Sequence, residues 1–209
     1  MPSQYNESEI IKRFFGDKKE GRYIDIGAGD PVIHSNTYEL YQKDWRGILV
    51  EPFYIYHDAI KEKRPKDILE PIAIADFTGT ALMCNTAMNG TWIGDEYLRE
   101  YESGIREKDG RIHQPYSVPC MTMNDFVKKY KDYVNVDFLT MDIETGEEKA
   151  LAVCDFNIFK PKLMCIEYRV RGVDQRRKWE RFIYPFYIQV DRTEGNVFYL
   201  RKEYASFNL

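Results

Sequence analysis

Residues 22–30 read Arg-Tyr-Ile-Asp-Ile-Gly-Ala-Gly-Asp, a short apolar run that ends in a glycine loop. A strand entering such a loop ahead of a helix marks the place where an open α/β sheet binds ligands, beyond the ends of its strands. The dinucleotide fingerprint needs a third glycine three positions after Gly29, and Val32 stands there behind Pro31. A carboxylate at Asp25 repels a phosphate and suits a cationic ligand, an ammonium or a sulfonium. Gly27 and Gly29 let backbone groups approach that ligand closely, because no Cβ intervenes. Glu51 follows Gly29 by 22 residues, the distance at which an acid accepts hydrogen bonds from ribose hydroxyls. An adenosine with a positively charged tail satisfies both features, and S-adenosylmethionine is such a molecule. The competing readings are local: Asp25 as a turn residue and Glu51 as a solvated acid at a strand end.

Outward from the loop, strand-like runs alternate with amphipathic stretches, the pattern of a parallel α/β sheet. Strands are expected at 22–26, 47–50, 68–75, 136–141 and 162–167, and helical segments at 36–43, 53–64, 123–130 and 147–156. Pro65 stops the second helix, and Thr122 with Asp125 has the spacing of a capping box. Residues 186–191 and 197–202 flank a Thr-Glu-Gly-Asn turn and predict an antiparallel hairpin, which points away from a plain dinucleotide fold. Residues 83–119 are too long for an ordinary connection; a lid or substrate-binding insertion is favoured over a decorative loop.

The chain has 209 residues and a net charge of -4, from 30 Lys plus Arg against 34 Asp plus Glu. That size fits one domain, and the 44% hydrophobic share can fill its core, which argues against disorder. The mild acidity argues against a nucleic-acid binder held by a basic surface. Cys84, Cys120, Cys154 and Cys165 form no CxxC pair, so free thiols in a reducing compartment are expected. No signal peptide or membrane span is evident: the longest apolar run, 182–188, contains Pro185 and is far too short. A cytoplasmic protein is the expectation. The sheet begins about twenty residues into the chain, which suggests one domain of a larger glycan-modifying enzyme.

The runs Tyr23-Ile-Asp-Ile-Gly-Ala-Gly-Asp-Pro31, Ser35-Asn-Thr37 and Trp45-Arg-Gly-Ile-Leu-Val-Glu-Pro52 resemble the FkbM-type methyltransferases. So do Val136-Asp-Phe-Leu-Thr-Met-Asp-Ile-Glu144 and Pro161-Lys-Leu-Met-Cys-Ile-Glu167, in the family's order. The resemblance implies a class I methyltransferase fold: a Rossmann-like, seven-stranded, mostly parallel sheet with helices on both faces and a C-terminal antiparallel hairpin. It implies S-adenosylmethionine as donor and a hydroxyl as acceptor, commonly on a sugar or a polyketide. By these matches Asp25, Gly27, Ala28 and Gly29 frame the methionine part, with Ser35 and Asn36 supporting it from the next helix. Glu51 and Pro52 hold the ribose, Ala73 lies near the adenine, and Asp142 faces the cofactor from the fourth strand. Asp30 stands where many members have Asn, and Thr145 where the usual motif has Gly.

A sugar hydroxyl has a very high pKa and needs a base or a metal to become a good nucleophile. Asp142 and Glu167, at neighbouring strand ends, suit either task. Metal-dependent catechol O-methyltransferase is similar in placing acidic ligands at the corresponding ends, and oxygen ligands suit Mg or Mn. Glu144 is a third candidate, or else a cap for the helix beginning near Glu147. His34 and His113 lie in loops expected to face the site, His113 being the better base candidate, while His57 is expected on an outward surface. Arg169, Arg171, Arg176, Arg177, Lys178 and Arg181 suit a phosphate, as in a nucleotide sugar, or else form a solvated face paired with Asp174 and Glu180. Trp92, Tyr97, Tyr101 and Tyr116 suit stacking on sugar rings, or anchoring of the insertion. The leading expectation is an O-methyltransferase of a sugar, a deoxyhexose such as rhamnose or fucose. The alternatives are a polyketide acceptor, a nicotinamide-dependent oxidoreductase, and a cofactor-binding or glycan-binding module without catalysis.

Overall fold

The computed structural model describes residues 3–86, 89–92, 116–144, 146–170 and 172–207. The chain opens with α1 (Glu7–Phe15) and then forms β1 (Arg22–Ile26), α2 (Tyr38–Gln42), β2 (Arg46–Val50), α3 (His57–Lys63) and β3 (Ile68–Glu70). A second group follows: β4 (Ala73–Ile74), β5 (Gly79–Thr86), β6 (Asn89–Trp92) and β7 (Tyr116–Met121). The main sheet resumes with α4 (Met123–Lys129), β8 (Phe138–Met141), α5 (Glu147–Ala152) and β9 (Leu163–Glu167). A two-stranded ribbon, β10 (Arg169–Val170) and β11 (Val173–Asp174), leads into α6 (Arg176–Ile183), β12 (Tyr187–Arg192) and β13 (Asn196–Arg201).

The seven-stranded sheet has the order β12-β13-β9-β8-β1-β2-β3. Its β3, β2, β1, β8 and β9 run parallel, β13 runs against them beside β9, and β12, antiparallel to β13, returns to their direction, with a register irregularity between Gln189 and Asp191. Period-2 alternation splits the strand side chains between two cores. Ile24, Ile26, Leu139, Met141, Met164 and Ile166 face helices α4, α5 and α6, among them Phe126, Leu151, Trp179 and Ile183. Tyr23, Leu49, Phe138, Leu163 and Cys165 face α1, α2 and α3 through Ile10, Phe15, Leu40 and Ile60. Helices therefore cover both faces, and every central strand is apolar on both sides, as a parallel sheet requires. On the second face Phe15 meets Trp45 edge-on at 4.9 Å, and Trp45 Nε1 donates to the Lys18 carbonyl at 2.9 Å.

Several expectations change here. The strand expected at 68–75 is two strands, because Pro71 offers no N–H to a ladder. Its second half, β4, pairs with β7 in a separate sheet of order β4-β7-β5-β6. The long connection at 83–119 is accordingly not a plain loop at its stems, since β5 and β7 run antiparallel from Gly79↔Cys120 to Met83↔Tyr116. The segment expected as helix from residue 36 begins at Tyr38, leaving Ser35 and Asn36 in the preceding loop. The Thr122 cap forms as expected: its side chain accepts from the Asp125 amide at 3.1 Å. The C-terminal hairpin also forms, one residue displaced. Cys120, Cys154 and Cys165 are free, and among the described residues no helix is long and apolar enough to cross a membrane.

Candidate active site

The C-terminal ends of β1, β2, β8 and β9 border a cleft of about 670 Å³, within the usual range for small-molecule sites. Its wall begins at the glycine loop. Gly27 (φ 80°) and Gly29 (φ 55°) occupy left-handed backbone conformations. At Gly27 a second reason is stronger, because a Cβ there would lie 1.7 Å from the Asp142 carbonyl oxygen. The amides of Gly27 and Ala28 donate to the Val50 carbonyl at 2.9 and 3.3 Å, tying the loop to the end of β2. Asp30 Oδ1 accepts from the Val32 and Ile33 amides at 2.9 and 2.7 Å and closes the turn; an Asn oxygen accepts equally well.

Glu51 stands across the loop. Its Oε2 accepts from the Gly29 amide and its Oε1 from the Phe53 amide, both at 2.7 Å. Each oxygen keeps a further lone pair for a hydroxyl. Burial pushes its pKa up to about 7, against the two amide bonds, which pull it down. Pro52 and Ala73 also line the cleft. The outward position expected of His57 is corrected: its Nε2 lies 2.7 Å from the Glu51 carbonyl and secures the start of α3 to the end of β2.

Asp25, Ser35 and Asn36 do not line the cleft, and this too is a correction. Period 2 turns Asp25 to the Tyr23 side of β1, behind the loop, where its Oδ2 accepts from Thr37 Oγ1 at 2.5 Å. Ser35 is buried beside Thr37, and Asn36 Nδ2 donates to Thr140 Oγ1 at 3.1 Å.

On the far side of the cleft Asp142 and Glu167 share a hydrogen bond, because β8 and β9 pair Met141 with Ile166 one step earlier. Both carboxyls are driven upward in pKa, first by burial and then by neighbouring acids. Glu167 is driven the further of the two, and its Oε2 is buried without a hydrogen-bond partner among the described residues. A third acid, Glu147, completes the group: Asp142, Glu147 and Glu167 offer oxygens that all lie within 4.8 Å of one another. The N-cap position of α5, expected of Glu144, is taken by Gly146, and Glu147 Oε1 accepts from the Ile143 amide at 2.9 Å, bracing the turn ahead of the helix. Burial carries Glu147 to about 7. The sequence signal for it was its place as the first residue of the helix following Asp142. Glu144 itself lines the cleft, at φ 50°.

His34 lines the cleft at φ 61°, bridged to Ser3, and Gln4 joins the lining. The contribution of this N-terminal segment was missed, since nothing local in residues 3–5 marks a site. His113, Tyr97, Tyr101, Arg171 and Thr145, and the side chain of Trp92, lie outside the described residues. Tyr116 stacks on Phe53 at 6.0 Å, the anchoring alternative. Three cations of the basic stretch are paired: Arg176 with Asp174 at 2.6 Å, Arg181 with Glu148 at 3.6 Å and Arg169 with Glu194 at 3.9 Å. The solvated-face reading therefore holds for these three, while Glu180 accepts from Tyr199 rather than from an arginine.

A family model described as the methyltransferase FkbM domain matches residues 25–192. No curated protein matches the chain. Among solved structures it is similar to a TehB-like SAM-dependent methyltransferase from Corynebacterium glutamicum, at 13% identity and a TM-score of 0.49, covering 95% of this chain and 88% of that one. It is also similar to an O-methyltransferase from Bacillus cereus in complex with SAH, at 9% identity and a TM-score of 0.48, covering 93% and 80%.

Proposed function

Because the chain belongs to the FkbM methyltransferase family, we propose that it transfers a methyl group from S-adenosylmethionine to a hydroxyl of a sugar, in a glycan or a nucleotide sugar. The glycine loop and Glu51 border one end of the cleft, and the Asp142–Glu167 pair borders the other. The loop suits the methionine part, and Glu51 keeps acceptor capacity for the ribose hydroxyls. When bound, S-adenosylmethionine supplies a methyl on a sulfonium, whose C–S bond breaks as the O–C bond forms and whose electron pair stays on sulfur in neutral S-adenosylhomocysteine. The protein has two tasks, to align the hydroxyl oxygen with that methyl and to receive its proton.

The observation that carries the reading is the carboxyl pair. Two acids in direct hydrogen-bond contact hold one proton between them, so the pair has one site ready to take another. Its raised proton affinity lies nearer to that of the hydroxyl than an ordinary carboxylate does, which suits a general base. Asp142 and Glu167 are where the sequence leads one to expect Mg or Mn, and with Glu147 added, three carboxylate oxygens so close favour an oxygen-ligated cation as a second reading. A dication asks for deprotonated ligands, whereas the Asp142–Glu167 hydrogen bond asks for a proton, and we favour the proton.

Calorimetry with S-adenosylmethionine and S-adenosylhomocysteine tests the cofactor, and absence of binding for both would sink the proposal. Incubation with methyl-labelled cofactor and a panel of deoxyhexose glycans and nucleotide sugars tests the acceptor, the modified oxygen being assigned by mass spectrometry and NMR. Activity suppressed by EDTA and restored by Mg or Mn would replace the proton-carrying pair with the metal reading.

A further inference from the structure

Helix α3 ends at Arg64, whose guanidinium is fully enclosed, its side chain 0% exposed. A buried cation is tolerated only when it is paired and hydrogen-bonded, so its partners state its role. Arg64 Nε donates to Asp67 Oδ2 at 2.8 Å, Nη2 to the Tyr23 hydroxyl at 2.7 Å, and Nη1 to Thr37 Oγ1 at 2.9 Å and Ser35 Oγ at 3.3 Å. The rings of Tyr23 and Tyr41 flank it at 5.3 and 5.2 Å.

Asp67 is already engaged, because it also accepts from the Tyr23 hydroxyl at 2.7 Å and the Gly47 amide at 2.8 Å. Thr37 is the informative partner. A guanidinium only donates, so Thr37 Oγ1 must accept from Arg64, and its single proton is directed at Asp25 Oδ2. Hydrogen bonding of that sense favours the ionised carboxylate. Burial is the larger influence on Asp25 and opposes ionisation; Arg64 is the strongest influence in its favour, ahead of Thr37. Asp25 stands two residues before Gly27, and its charge is felt by both Glu51 and Asp142, acids on the two sides of the cleft.

We propose that Arg64 is a positioning residue for the cofactor: through Thr37 it holds Asp25 oriented and ionised behind the glycine loop, as a buried anion that favours a sulfonium over a neutral thioether in the cleft. The inference rests on S-adenosylmethionine being the cofactor. It separates from that reading because the two ligands, S-adenosylmethionine and S-adenosylhomocysteine, differ by the methyl and its charge.

The test is calorimetry of both ligands with the unaltered protein, Thr37→Val, Arg64→Lys and Asp25→Asn. Failure of the unaltered protein to bind either ligand defeats the cofactor reading itself. Thr37→Val preserves volume and the Arg64–Asp67 pair, and it should weaken S-adenosylmethionine about tenfold, the loss expected for a charge-assisted bond, with a clearly smaller effect on S-adenosylhomocysteine. Asp25→Asn should lower the same preference, and adding Thr37→Val to it should lower it no further. Arg64→Lys keeps the cation and should retain part of the preference. Equal weakening of both ligands, or an unchanged preference in Thr37→Val and Arg64→Lys alike, would overturn the proposal and leave Arg64 a structural residue.

Discussion

Two polar clusters, one buried and one half-buried, flank the glycine loop, and they are built on opposite rules. Behind β1, Arg64, Asp67, Tyr23, Thr37 and Asp25 form a closed set in which donors and acceptors match, down to the Gly47 amide on Asp67. At the ends of β8 and β9, Asp142, Glu147 and Glu167 are three acids whose charged neighbours are other acids, Glu144 and Asp25 among them. One of their oxygens, Glu167 Oε2, has no hydrogen-bond partner among the described residues. A satisfied buried network stiffens a fold, whereas like charges short of donors store proton affinity, the usual mark of chemistry. The contrast assigns support to the first cluster, which stiffens the fold and holds Asp25 behind the loop, and proton transfer to the second.

The sharpest way to break that division is Asp142→Asn. The amide keeps the shape and cannot take a proton, so methyl transfer should fall by roughly 10²- to 10⁴-fold, while calorimetric binding of S-adenosylhomocysteine stays within about threefold. Undiminished transfer would remove Asp142 from the chemistry. The converse change, Tyr23→Phe, deprives Arg64 of an acceptor and Asp67 of a donor, 0% exposed as both side chains are. It should cost about 1–3 kcal/mol in urea unfolding and leave turnover of the folded protein nearly unchanged. A variant that keeps its stability and loses turnover would reverse the assignment.

The clusters also differ in their response to pH. Glu51 and Glu147 are raised from 4.5 to about 7, and Asp142 and Glu167 move in the same direction. An acid whose folded pKa exceeds its unfolded value binds its proton more tightly when folded. Its stabilising effect is full below the unfolded pKa and is lost as pH rises through the folded one. The acids shifted the other way, Glu62, Asp125 and Asp174, are exposed or partly exposed and screened by solvent. Thermal unfolding should therefore show Tm falling between about pH 5 and about pH 8. A Tm rising steadily across that window would mean that cationic partners compensate the acid cluster.

How far these clusters can be read in sequence follows from the range of their contacts. The glycine loop, Glu51, Asp142 and Glu167 were legible because each sits at a strand end, and strand ends follow from apolar runs and the turn residues after them. Arg64 was not legible, since it meets Tyr23 and Ser35 across 41 and 29 residues and nothing in its neighbours on the chain signals burial. Asp25 misled for a related reason. Its place before the loop suggested contact with ligand, yet strand alternation turns it to the Tyr23 face. The break at Pro71 is legible, since a proline inside a strand leaves the ladder a donor short, whereas the small sheet β4-β7-β5-β6 depends on pairing that no local pattern encodes.

Glu147 sharpens the comparison with the smallest effect, because it belongs to the acid cluster by position and to the scaffold by bonding. Its Oε1 accepts the Ile143 amide, which holds the turn between Asp142 and α5. A glutamine oxygen can accept the same bond, so Glu147→Gln keeps the turn and removes only the titration. If the division between clusters is right, turnover should stay within about threefold of the unaltered protein. Near pH 5, where Glu147 holds its proton in the folded state, stability should scarcely change. Near pH 8 the variant should be the more stable by on the order of 3 kcal/mol, since a shift from 4.5 to about 7 is what the buried acid costs once its proton is lost. Loss of turnover comparable to that of Asp142→Asn would place Glu147 with the proton-carrying pair, and would favour a three-carboxylate cation site that EDTA should then expose.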